Sequence, residues 1–128
     1  MVKIIPIRKS NPQDRTAEKK YYVQAVATGT VNLERLAYLT SHQSTVREAD
    51  CYAVMLSLVH NIIDALEDGK IVKLDKLGAL QVAVRSEGVV DEKDLSNSLV
   101  KKAHLNFRPD SRLRDMLNNL KYQLLLKE

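Results

Sequence analysis

Between Thr45 and Asp68 the sequence places apolar residues on more of a helix than a chain of 128 residues can cover by itself. The stretch is "TVREADCYAVMLSLVHNIIDALED". Ala49, Tyr52, Ala53, Leu56, Val59, Ile63 and Leu66 recur at helical spacing and mark one face. Val54, Met55, Leu58 and Ile62 mark a second. A surface helix needs a single apolar stripe. Two faces need two partners, and the interior available to a small domain is modest. The pattern therefore predicts that a second subunit covers one of them. Thr45 and Glu48 have the spacing of a capping box at the start of this helix. Gly69 supplies its stop.

The length fits one domain. No apolar run is expected to reach the thickness of a bilayer. The opening "MVKIIPIRKSNPQ" has neither the apolar core nor the small-residue cleavage site of a secretory signal, so the expected location is the cytoplasm. Cys51 is the only cysteine, which excludes an intrachain disulfide and a cysteine-based metal site. In "DCYAVMLSL" it reads as a small buried hydrophobe.

The formal charge of +4 is unevenly placed. Residues 1–20 hold six cations, Lys3, Arg8, Lys9, Arg15, Lys19 and Lys20, against the two acids Asp14 and Glu18. The other 108 residues balance at fourteen of each sign. A basic segment on a neutral body suits an anionic partner such as nucleic acid, or is a solvated tail with none.

The remaining pattern predicts an α+β fold. "VKIIPIRK" holds a proline and reads as an edge strand or extended arm. "SNPQDRTAEKK" is a polar loop. "YYVQAVATGTV" is a strand with Tyr22, Gln24 and Val26 on one face and Tyr21, Val23 and Ala25 on the other. These segments, with "KYQLLLKE", are expected to extend the main sheet. "NLERLAYLTSHQ" is a short amphipathic helix capped by Asn32. "KIVKLDKLGALQVAVRS" is a strand, a tight turn at Gly78 and a second strand. "DEKDLSNSL" is a short helix capped by Asp91, or a loop. "VKKAHLNF" alternates like a strand. Pro109 and Asp110 open a helix through "SRLRDMLNNL", with Asp110 or Ser111 as its cap. "KYQLLLKE" closes the chain as a strand.

This order, with its punctuation, resembles the bacterial histone-like HU and integration-host-factor proteins. Gly69, Val72, Leu74, Gly78 and Val82 match that family's Gly-x-x-Val-x-Leu-x-x-Phe-Gly-x-Phe-x-Val, with Leu77 and Leu80 in place of its phenylalanines. Phe107, Pro109, Leu113 and Asn118 match its closing Phe-Lys-Pro-Gly-Lys-x-Leu-Lys-x-x-Val-Asn, and Arg108 and Arg114 keep the charge. A closer likeness, through "NPQ", "YYVQAVATGTV", "SEG" and "FRP", is to the HU-related group of histone-like DNA-binding proteins. The resemblance implies one HU-like domain over residues 1–128, with a strand extension at 1–30, a core at 31–122 and a terminal strand at 122–128. It implies an intertwined homodimer, nucleoid-associated, that binds duplex DNA with little sequence preference.

The chain departs from the family in its arm. The family inserts a proline from a long basic ribbon between base pairs. Residues 83–106 hold no proline, and Arg85, Lys93, Lys101 and Lys102 are offset by Glu87, Asp91, Glu92 and Asp94. Phosphate contacts are then expected from Arg108, Arg112 and Arg114 around the start of the last helix, from Arg85, Lys101 and Lys102, and from Lys3, Arg8 and Lys9. The last three could instead keep an edge strand soluble. Phe107 is expected in the core. His42, His60 and His104 lack metal-ligand spacing, and no convergent catalytic set is present. The reading is a non-enzyme with no cofactor, no metal, no small-molecule substrate and no membrane. The alternative is a non-catalytic protein-interaction module that keeps the dimer fold without the DNA arm.

Overall fold

The computed structural model describes residues 1–9, 13, 16 and 18–126. It is α+β, with three α-helices and two separate three-stranded sheets among the described residues. The chain divides into two compact units, residues 33–115 and residues 1–32 with 116–128. Parts of the expected loop after Lys9, and Lys127 and Glu128 of the expected last strand, lie outside the described residues.

In the unit of residues 33–115, helix α1 (Leu33–His42) begins directly after Asn32 and packs on α2 (Glu48–Glu67). Their contact buries Ala37 completely and Cys51 nearly so, the two buried hydrophobic residues of the described chain. Cys51 is thus the small buried hydrophobe that its neighbours predict. Helix α2 ends as Gly69 requires. Gly69 takes φ +78° and its N–H donates to the Leu66 carbonyl at 3.0 Å, while the Lys70 N–H donates to Ala65 at 3.1 Å. These are the paired bonds of a Schellman stop, and glycine tolerates the left-handed backbone that they need.

The start of α2 differs from expectation. The N-cap is Arg47, without a side-chain cap bond, and Glu48 is the first helical residue. Thr45 and Glu48 form no capping box. The Ser44 hydroxyl instead accepts the Val46 N–H at 3.2 Å, and this local turn moves the start beyond the reach of Thr45.

Helix α2 also corrects the expectation about apolar length. Its 20 residues are long and apolar enough to cross a membrane by length and composition. The reason is the double face seen in the sequence. Val54, Leu58 and Ile63 remain 66%, 50% and 48% exposed.

Strands β3 (Val72–Leu74), β4 (Gly78–Ser86) and β5 (Val100–Pro109) form an antiparallel sheet in that order. Between β4 and β5, two short 3-10 turns cover Glu92–Asp94 and Asn97–Leu99, the first capped by the Asp91 carboxylate on the Lys93 N–H. The tight turn lies at residues 75–77, just before the expected Gly78, which opens β4 and pairs with Leu74. A Cβ on Gly78 would stand 2.5 Å from the Arg108 carbonyl and 2.6 Å from the Phe107 ring, so no side chain fits. Phe107 itself is 49% exposed and is no core plug within this chain. Helix α3 (Ser111–Asn118) follows.

The second sheet has the order β2 (Lys20–Val26), β1 (Val2–Lys9), β6 (Tyr122–Leu124). β1 pairs with β2 and with the last strand, and the three form a sheet of their own instead of extending the main sheet as expected. Nor is β1 an edge. It lies in the centre, antiparallel to β2 and parallel to β6. Pro6 is tolerated because β6 pairs only with Val2–Ile4, so the missing N–H costs no bond on that side.

Candidate nucleic-acid interface

The register of the β3–β4–β5 sheet sorts its residues onto two faces. Directly opposed residues share a face. One face carries Val72–Leu80–Phe107, Leu74–Gly78–Pro109, Val82–Leu105 and Val84–Ala103. It is wholly apolar. The other carries Lys73–Ala79–Arg108, Gln81–Asn106, Ala83–His104 and Arg85–Lys102. It holds four permanent cations, two amides and a histidine, with no acid in its rows. Ala79 and Ala83 keep the middle of this face low between longer polar side chains.

Lys73, Arg108 and Arg114 converge at one end of the polar face. Together with Gly78, Ala79, Pro109 and Asp110 they line one shallow hollow. Lys73 and Arg108 are brought there by the cross-sheet row, and Arg114 by the first turn of α3. Asp110 is the N-cap of α3. Its carboxylate accepts the Ser111 N–H at 2.7 Å and the Lys76 N–H at 3.2 Å. Those two bonds, with Lys73 and Arg114 nearby, hold the carboxyl below the usual carboxylate range. The hollow thus sets three cations against the Asp110 carboxylate, which backbone donors already engage, and Lys73 also pairs with the Asp75 carboxylate at 3.9 Å. Such a site can accept an anion with the geometry of a phosphate oxygen.

Some predicted site residues are brought together and others are not. Arg85, Lys102 and Arg108 share the polar face, and Arg114 joins Arg108 at the hollow. Arg112 does not line that hollow. A register shift at Arg85/Ser86 takes Lys101 out of the alternation, and its ammonium pairs with the Glu87 carboxylate at 3.5 Å. The ribbon that looks neutral in sequence is segregated in space. Its stem is basic, whereas the tip from Glu87 to Leu99 holds Glu87, Asp91, Glu92 and Asp94 against Lys93 alone. Val90 is fully exposed at that tip.

In the N-terminal sheet, Lys3 and Lys9 share a face, and Lys9 stands opposite Lys20. The Lys3 ammonium donates to the Gln123 side chain on β6. Arg8 turns to the other face and lies over the Tyr21 ring at 5.6 Å.

Sequence reasoning missed Lys73, Gln81, His104 and Asn106 as members of the polar face. Lys73 alternates with Val72 and Leu74, so its exposure was legible. Its place in one row with Arg108, across Ala79, was not, because only the sheet register brings the two to the same hollow. Among the described residues no group of three or more His, Cys, Asp or Glu side chains could hold a metal ion.

Residues 4–123 match the profile of the HU-HIG family, described as an HU domain fused to a wHTH, Ig or glycine-rich motif. The chain belongs to the HU-HIG family. Among curated proteins none matches the sequence. Several solved structures share the fold. A candidate bacterial DNA-binding protein from Bacteroides vulgatus matches at TM-score 0.68 and 14% identity over 99% of this chain. This chain spans 49% of that protein, about half its length. HU from Anabaena, crystallised with DNA, matches at TM-score 0.55 and 17% identity, over 70% of this chain and 100% of its own. A mutant HU from Thermotoga maritima matches at TM-score 0.50 and 14% identity, over 68% of this chain and 99% of its own.

Proposed function

We propose that this HU-HIG chain binds duplex DNA as a homodimer, mainly through phosphates and with little sequence preference, in a nucleoid-associated role. The polar face of the β3–β4–β5 sheet carries the reading. Lys73, Arg85, Lys102 and Arg108 lie on it without an acid between them, and Arg114 adds a fifth cation at its end. Cations so arranged gain affinity by releasing counterions from the duplex. Lys3, Arg8 and Lys9 of the N-terminal strand extension are proposed as a second set of backbone contacts. The acidic tip from Glu87 to Leu99 is proposed to stay off the DNA, so strong bending is not expected. No chemistry is assigned to the chain, and it is read as a non-enzyme.

The dimer is supported by exposure. In the single chain Val54 and Leu58 on the second face of α2 are 66% and 50% exposed, and Leu105 and Phe107 on the apolar sheet face are 60% and 49% exposed. The apolar sheet face and the second face of α2 are the surfaces that a partner would cover.

Gel shifts with unrelated duplexes across a salt series test the reading. Similar affinity for all of them is expected, with a steep log–log slope of about −0.9 per phosphate contact. Absence of binding at low salt would reject it. The interaction-module alternative would then stand, and the acidic tip with its exposed Val90 is the observation that favours it.

A further inference from the structure

We infer that the free edge of β2 pairs with the same edge of a second copy, antiparallel about Val23, so that two N-terminal sheets join into one of six strands. The hydrogen bonds of β1 lead to this. The Val2 N–H donates to the Lys121 carbonyl at 2.9 Å, and the Ile4 carbonyl accepts the Leu125 N–H at 2.9 Å. Val2 and Ile4 therefore turn their backbone groups toward β6. Groups alternate along a strand, so Lys3, Ile5, Ile7 and Lys9 turn theirs toward β2. Their partners Val26, Gln24, Tyr22 and Lys20 turn back toward β1. Tyr21, Val23 and Ala25 are left with N–H and C=O pointing outward, along an edge that pairs with no strand among the described residues.

This edge lacks the usual protection. Strands exposed at an edge are commonly blunted by proline, a bulge or inward charge. The segment "KYYVQAV" has no proline, no acid and one cation at its end. Its pairing with β1 runs unbroken from Lys20 to Val26. All seven residues are exposed. The lysines and arginine of β1 protect nothing here, because β1 is the central strand.

A second copy is the occupant that fits, because the edge is complementary to itself. The outward residues Tyr21, Val23 and Ala25 are symmetric about Val23. An antiparallel pair centred there sets Tyr21 against Ala25, Tyr22 against Gln24 and Lys20 against Val26, large against small and no like charges opposed. It engages the whole strand. Three hydrogen-bonded pairs supply about six bonds. A shift of the centre to Tyr21 or Ala25 leaves part of the strand unpaired. The pairing does not depend on the DNA reading. Its consequence rests on the proposed dimer: a dimer that also joins through β2 has two different two-fold interfaces, and such units build assemblies larger than the dimer. On DNA such an assembly would appear as cooperative binding.

The test uses the full chain. Sedimentation should find species larger than the dimer that grow with concentration. Val23→Lys and Val23→Glu should each remove them, since each sets like charges together at the two-fold axis. An equimolar mixture of the two should restore them. Val23 is 60% exposed, so neither change disturbs a core. As a second readout, Val23→Cys should form an interchain disulfide on mild oxidation, since paired Cα atoms stand about 5.5 Å apart. The parent, with only buried Cys51, should not. Unchanged assembly in Val23→Lys or no crosslink in Val23→Cys would each overturn the inference, and so would wild type that never exceeds a dimer which Val23→Lys leaves intact. If DNA binding fails while the crosslink forms, the edge pairing stands and the DNA reading falls.

Discussion

The carboxylate of Asp110 accepts the backbone N–H of Lys76, 34 positions earlier in the chain, at 3.2 Å. The Asp110 N–H donates to the Leu77 carbonyl at 3.0 Å. One residue thereby fastens the β3–β4 turn to the start of α3, and it does so between Lys73, Arg108 and Arg114. The geometry of the candidate phosphate hollow rests on this junction.

Acid should loosen that junction. The Asp110 carboxyl is held below its ordinary value of 3.8 by the Ser111 and Lys76 N–H groups, then by Lys73 and Arg114. A lowered carboxyl stabilises the fold fully above the unfolded value, and the contribution is lost as pH falls through the lowered folded value. Asp110→Asn keeps a good N-cap but cannot ionise. Its stability should therefore depend less on pH than wild type below about pH 4. Denaturant melts across acid pH measure the difference, and parallel pH curves for the two proteins would refute it.

Lys76 is the one described non-glycine residue with positive φ, at 74°. A left-handed backbone costs a residue with a Cβ about 1–2 kcal/mol. Lys76→Gly relieves it, at the expense of more freedom in the unfolded chain. The expected net is stabilisation of about 1 kcal/mol or less. A chemical denaturation midpoint below that of wild type would count against it.

Leu58 lies on the second face of α2 and is half exposed in the single chain. If a partner covers it, Leu58→Asp buries an unpaired charge at the interface. The variant should be unfolded or monomeric, while wild type should scatter light at no less than twice 14.5 kDa. A folded wild-type monomer at micromolar concentration would remove the dimer reading.

The parts of this fold legible in the sequence are those set by local chemistry. The double apolar period of α2, the glycine that ends it, a tight turn within a residue or two of Gly78 and the alternation of β5 depend on neighbours in the chain. Thr45 misled because the Ser44 turn competes for the same few residues. Pro6 misled because a proline marks an edge only where its missing N–H would face a neighbour, and β6 stops short of it. Lys101 and Lys102 look alike in sequence, yet the register shift at Arg85/Ser86 sends one to Glu87 and the other to the polar face. Lys73 and Arg108 are 35 positions apart, and only the sheet register brings them to the same hollow.

The hollow allows a graded test of the proposed phosphate contacts. Arg108→Ala with Arg114→Ala should flatten the log–log salt slope by roughly two units and weaken all duplexes alike. Adding Lys73→Ala should flatten it further, by up to about one unit, since Lys73 lines the same hollow while also pairing with Asp75 at 3.9 Å. Arg112→Ala and Lys101→Ala serve as contrasts. The first does not line the hollow, and the second is engaged by Glu87 at 3.5 Å. Each should change the slope by clearly less than one unit. DNA bending should stay slight, because a proline wedge is absent from residues 83–106 and the tip carries four acids against one lysine. Ring-closure assays read this directly. Equal slope changes for all five cations would mean that the positive charge acts as a diffuse field and not through the hollow. Strong ring closure would mean that Val90, exposed at the tip, enters the stack in spite of the acids beside it.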